Sequence, residues 1–212
     1  SVIMHDFFKK IGYRNFENYI PHRHKEGYGL NIPAVEQFAK DGVTLLITVD
    51  CGITDVEEVA RAQALGIDVI VTDHHLPQEI LPAAYAILNS KQEGDTYPDN
   101  MLCGAGVAWK LVTALLRKGS FDVPKGWEKW LLDMAGLSTI ADMVPLKNEN
   151  RVLAHYGLKV LRKSKRPGLL KLLRKMSIEQ NHLTEDDIGF MIAPRINAAS
   201  RMDIPMKAFH LL

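Results

Sequence analysis

Cysteine is scarce in this 212-residue chain: only Cys51 and Cys103 are present. Two thiols cannot build a disulfide framework, and they lack the close spacing of a zinc-binding pair. Both are expected to be reduced and partly buried, which fits a reducing cytoplasm. Long apolar runs are missing too, since none approaches the ~20 residues needed to cross a bilayer, so no membrane association is expected. The segment Ser1-Val2-Ile3-Met4-His5-Asp6-Phe7-Phe8 has neither the charged leader nor the small-residue cleavage site of a signal peptide. Charge of one sign is not in large excess: the formal net charge is +1, which does not by itself mark a polyanion-binding protein. The sequence has no internal repeat, low-complexity tract or flexible linker, and at 47% hydrophobic content it can bury one substantial core.

Chemistry concentrates at the ends of two apolar runs. Val43 to Val49 ends on Asp50, and Ile67 to Val71 leads through Thr72 to Asp73-His74-His75. Between them, Thr54-Asp55-Val56-Glu57 has the spacing of a capping box, and a helical stretch follows that closes at Gly66. This is a βαβ pattern, which predicts parallel strands whose carboxyl ends share one rim. Taken alone, Asp50 before Cys51-Gly52 reads as an ordinary turn residue, and a lone histidine reads as structural. Two strand-end acids and paired imidazoles on one rim instead predict a metal site. Adjacent histidines at a strand-to-loop transition can both reach that rim, with one free to meet substrate.

The rest of the chain predicts an α/β layer followed by helices. Ser1 to Ile11 places Ile3, Phe7, Phe8 and Ile11 on one helical face, and Phe16 to Ile20 reads as a strand ending at Pro21. Asn31 is positioned to cap a helix with Pro33 in its first turn, and Tyr85 to Leu88 adds another strand. Gln92 to Asn100 reads as an exposed loop before Gly104-Ala105-Gly106 opens an amphipathic helix, where packing explains the glycines better than phosphate contact. Trp127, Trp130, Leu131 and Met134 fall at helical spacing and read as core rather than as a base-stacking platform. Helices are predicted from Asn150 to Ser164, from Pro167 to Met176 and from Thr184, where Thr-x-x-Asp with Asp187 forms a cap. From Arg151 to Ile178 there are nine basic residues and no acid. The leucines of that tract form an apolar face, while its basic face fits either phosphate contact or plain solvation.

Thr48-Val49-Asp50-Cys51-Gly52, Thr72-Asp73-His74-His75 and Ser138-Thr139-Ile140-Ala141-Asp142-Met143-Val144-Pro145-Leu146 resemble, in order, the second, third and fourth motifs of the DHH phosphoesterase superfamily. Pro21-His22-Arg23-His24-Lys25-Glu26-Gly27-Tyr28-Gly29-Leu30-Asn31 and Ala193-Pro194-Arg195-Ile196-Asn197-Ala198-Ala199-Ser200-Arg201-Met202 narrow the likeness to the RecJ family of single-strand-specific 5′ to 3′ DNA exonucleases. The resemblance implies a parallel-sheet DHH domain over residues 1–145, then a mainly helical continuation over 146–212. It places the family's first Asp-x-Asp motif before Ser1 and further nucleic-acid-binding domains after Leu212, so the chain alone is expected to be inactive.

The same resemblance implies a two-metal phosphodiester hydrolase. Asp50, His74 and Asp142 would ligate Mn²⁺ or Mg²⁺, Asp73 would support the imidazoles, and His75 would contact a substrate phosphate. Arg23, Arg195, Asn197 and Arg201 would contact the backbone of single-stranded DNA. Repair and replication proteins are the partner class implied, and oligomeric state is left open. Two alternatives are a DHH phosphodiesterase acting on short oligonucleotides or cyclic dinucleotides, and a non-catalytic replication scaffold.

Overall fold

A computed structural model describes residues 1–202 and 205–212, with side chains described for 1–198 and 205–212. Three strands, β1 (Leu45–Val49), β2 (Asp68–Thr72) and β3 (Ala86–Leu88), form a parallel sheet in the order β1-β2-β3. Leu45 pairs with Asp68 and Val49 with Thr72, while Ile70 pairs with Ala86 and Thr72 with Leu88. The two predicted strands of the βαβ unit are thus adjacent and in register, and the expected third strand joins them.

Alternation along the strands sorts side chains between two faces. Val69 and Val71 point into a core with Val35, Phe38, Val59 and Ala62 of α2 (Ile32–Lys40) and α3 (Val56–Ala64). Ile47 and Val49 pack on the opposite side against a larger core. That core draws on α1 (Val2–Lys10), α4 (Gly104–Lys118) and α5 (Leu132–Ala141). The expected α/β sheet with flanking helices is therefore the architecture observed. It continues as helices α6 (Asn148–Leu161), α7 (Pro167–Lys175), α8 (Ala193–Met202) and α9 (Pro205–Leu211).

Two predicted caps form as read. Asn31 accepts a bond from the Ala34 amide at 2.9 Å, and Thr184 and Asp187 exchange backbone-to-side-chain bonds. Helices α5 and α6 meet backbone to backbone where Gly136 faces Gly157: a Cβ added to Gly136 would sit 2.6 Å from the Gly157 Cα and 2.8 Å from the Leu153 carbonyl. Any larger residue would force the two helices apart.

Three local expectations require correction. Phe16 to Ile20 has no strand neighbour. Its aromatics are held by side chains instead, Phe16 against Phe8 and His5, and Tyr19 against Phe38. The cap of α3 is Asp55 rather than Thr54, and no capping-box bond forms, because the Asp55 carboxylate accepts the Leu30 amide at 2.7 Å. Leu131 and Met134 are buried as read, but Trp127 is only half-buried and Trp130 is 54% exposed. Trp127 to Leu131 form a 3₁₀ turn before α5, so the helical spacing that would turn both indoles inward does not apply.

Candidate active site

The ladder continues one bond past each strand. The Asp50 amide donates to the Thr72 carbonyl at 2.9 Å and the Asp73 amide to the Leu88 carbonyl at 3.0 Å, which fixes both acids at the carboxyl edge. Beyond β1 the chain folds back on itself, with the Thr48 hydroxyl donating to the Cys51 carbonyl at 2.7 Å. Gly52 has φ +108°, and a Cβ there would lie 2.7 Å from Thr48 Oγ1. Asp50 itself takes φ +68°, a region that non-glycine residues enter at a cost. Met143, directly after Asp142, also has positive φ, so backbone strain sits on both sides of the rim.

His74 lies between two carboxylates. Its Nε2 is 3.1 Å from Asp50 Oδ1 and 3.5 Å from Asp142 Oδ2. The His74 side chain is 12% exposed, whereas Asp50 is 53% exposed. Nε2 is buried without an aligned hydrogen-bond partner. The adjacent Asp50 carboxylate raises the His74 pKa, and desolvation raises that of Asp142 despite the opposing charge of His74. An orphaned imidazole nitrogen facing two oxygen donors is a set that fits a divalent cation. Ligand atoms of Asp50, His74 and His75 also lie within 4.8 Å of one another.

Asp73 has a different environment. Its side chain is 1% exposed and accepts bonds from the amides of Ile53, His74 and His75. It also bonds His75 Nδ1 at 2.6 Å. Of the two rings, Asp73 therefore orients His75. The ring centroids of His74 and His75 are 4.5 Å apart, so both imidazoles reach the same rim as expected. Asn89 completes the clamp by donating to the His75 carbonyl at 2.9 Å.

Several residues at the rim were not predicted as site residues from sequence. Tyr28 donates its hydroxyl to the Asp50 carbonyl and sets its ring edge against His75. Gly104, at the start of α4, abuts the Asp50 carboxylate so closely that no Cβ could fit. Lys91 places positive charge near both His74 and Asp142. Tyr28 had a signal, since it lies in the quoted Glu-Gly-Tyr-Gly segment, whereas Lys91 sits in a loop without patterning. Among the predicted nucleic-acid contacts, Arg23 is exposed and borders the groove that also includes Asp50. Arg195 bonds back to the Met191 carbonyl at 2.8 Å, and Asn197 lies exposed on α8. The Arg201 side chain lies outside the described residues.

Residues 1–139 match the model of the DHH family, N-terminal domain. The chain is 44% identical over 212 residues to the single-stranded-DNA-specific exonuclease RecJ of Bacillus subtilis, covering all of this chain and 26% of that protein. It is 42% identical to the Escherichia coli protein of the same name, covering 92% of this chain and 35% of the relative. These 212 residues thus span about a quarter to a third of the curated relatives they match. Among solved structures, exonuclease RecJ bound to manganese superposes with a TM-score of 0.86 at 34% identity, covering 100% of this chain and 52% of that one. RecJ from Thermus thermophilus in complex with Mn²⁺ gives 0.81 at 31% identity, covering 100% and 29%.

Proposed function

The chain belongs to the DHH family, and from that premise we propose a metal-dependent phosphodiesterase that removes nucleotides from single-stranded DNA, 5′ to 3′, in repair and recombination. The observation that carries this reading is the unbonded Nε2 of His74 between Asp50 and Asp142. In this reading Asp50, His74 and Asp142 hold Mn²⁺ or Mg²⁺, with imidazole favouring Mn²⁺. When bound, the cations supply Lewis acidity and a water of lowered pKa.

The protein's own groups do the positioning. Asp73 holds His75 through Nδ1, and the ring contacts a substrate phosphate oxygen. Tyr28 and Gly104 hold the backbone and carboxylate of Asp50 in place. Arg23, Arg195, Asn197 and Arg201 contact the DNA backbone, guanidinium geometry suiting paired phosphate oxygens. Residues 1–145 form the DHH unit and 146–212 its helical continuation, joined by the α5–α6 contact. The partners are single-stranded DNA and repair or replication proteins. The setting is the cytoplasm, where Cys51 and Cys103 stay free thiols. Support comes from the relatives' names, from the manganese-bound neighbours, and from the absence, among the described residues, of any helix long and apolar enough to cross a membrane.

A chimera in which these 212 residues replace the matching segment of the Bacillus subtilis relative tests the reading. It should release nucleotides from 5′-labelled single strands only when Mn²⁺ or Mg²⁺ is present, and hydrolysis confined to dinucleotides would replace DNA by a smaller substrate. His75→Ala should lower turnover about tenfold or more while Mn²⁺ affinity holds. Equal losses of rate and metal affinity would make His75 a ligand.

A further inference from the structure

α5 has a second charged cavity at the end opposite Asp142. Its ten residues at 1.5 Å rise put the two about 15 Å apart. This cavity, about 390 Å³, has Trp127 and Trp130 in its walls and Lys163, Lys165 and Arg166 around them. It also contains Asp6 and Asp133, but both are bonded to Arg166, at 2.6 Å and 2.7 Å. One guanidinium leaves the triad with a formal charge of −1, so Lys163 and Lys165 bring the cavity's lining to +1. Lys163 and Lys165 are exposed and form no ion pair among the described residues, and Lys10 stands 6.0 Å from the Trp127 ring. The two lysines belong to the acid-free tract 151–178, whose Arg151, Lys171, Arg174 and Lys175 are likewise exposed and outside any ion pair among the described residues.

Exposed lysines beside an indole with an open face make a specific combination. Aromatic faces stack bases without regard to sequence, while flanking cations neutralise phosphates, and single strands offer both groups at short spacing. An acidic peptide would use the lysines but leaves the exposed Trp130 face without a planar partner. We propose that this cavity is a second anchoring site for single-stranded nucleic acid, remote from the metal rim. One base stacks on Trp130, and the adjoining phosphates meet Lys163 and Lys165. The proposal rests on the DNA-directed reading of the rim, but its chemistry requires no metal.

Binding of a short oligo(dT) to the 212-residue chain in EDTA, followed by tryptophan quenching and by anisotropy of a labelled strand, tests it. Trp130→Ala should weaken binding about tenfold and remove most of the quenching. The double variant Lys163→Glu/Lys165→Glu should weaken binding at least as much and flatten the slope of log K against log salt by about 1.4. All three positions are exposed, so far-UV circular dichroism and the unfolding midpoint should not move. Asp50→Ala should leave binding within about twofold, because the cavity lies away from the rim. Wild-type affinity in the double variant would overturn the proposal. So would binding of poly-glutamate with equal strength, which would make the surface a site for acidic proteins. A chimera that fails to cleave DNA while its chain still binds oligo(dT) through Trp130 would sink the catalytic reading and leave this one standing.

Discussion

The two ends of α5 carry charge clusters of opposite character. At its start, Asp133 is 5% exposed and meets Arg166 through both oxygens, with the Ser164 hydroxyl adding a third bond. At its close, Asp142 faces His74, and Asp50 beside them raises its pKa further after desolvation has done so. The buried Asp133 of the first cluster is matched by the Arg166 guanidinium and fully hydrogen-bonded, as buried charge must be to persist, while the other acid of that cluster, Asp6, is the more exposed one. The second gathers like charges around a nitrogen with no aligned partner. A structural ion network closes on itself, whereas a site for an external cation stays electrostatically open. Counting charged neighbours would not separate the two; asking whether each group is satisfied does.

The largest expected effect comes from removing the open end. In the chimera, Asp50→Ala should lower the rate of nucleotide release about a thousandfold. In the 212-residue chain Asp50→Asn, which keeps a side chain tolerated at positive φ, should move the unfolding midpoint by no more than about a degree, because loss of the contact with His74 is offset by relief of the repulsion with Asp142. A drop of several degrees on thermal melting would place Asp50 in the same class as Asp133.

Breaking the closed end should do the reverse. Arg166→Met leaves Asp133 buried without its cation and should cost about 3 kcal/mol in urea unfolding, with Mn²⁺ affinity intact. Loss of metal binding without loss of stability would erase the contrast between the ends. Gly157→Ala strikes the seam that holds both ends on one support. It should destabilise by about 2 kcal/mol and weaken Mn²⁺ binding as well, since α5 must shift. Smallest is Ser164→Ala, which removes one of several bonds to Asp133 and should cost about 1 kcal/mol by chemical denaturation.

The strand-end part of the open end was legible in the sequence because its information is local, whereas Asp142 was brought to it only by the family resemblance. A strand-end acid and an Asp-His-His run declare themselves within five residues, and pairing of β1 with β2 then brings them together. The caps at Asn31 and Thr184 were readable for the same reason. The closed end was not legible, because Arg166 finds Asp6 across 160 positions and Asp133 across 33. Trp130 was misassigned because a 3₁₀ turn changed its facing, and Phe16 to Ile20 because extended backbone needs a neighbouring strand that composition cannot reveal. Thr54 lost its capping role to a distant amide, that of Leu30, which claimed the adjacent carboxylate.

The glycine seam also bears on time. Helices in backbone contact cannot slide or part without losing packing along their whole length, so the α5 and α6 amides should be among the slowest to exchange with deuterated water. Asp142 rides on that slow unit, while Asp50 and the two histidines ride on a three-stranded sheet whose first strand has no neighbour on its outer side among the described residues. The parts of the molecule that carry the three candidate ligands are therefore expected to open at separate rates. A bound cation would tie those parts together, and the β1 amides should register it most, through slowed exchange, while those of α5 change little.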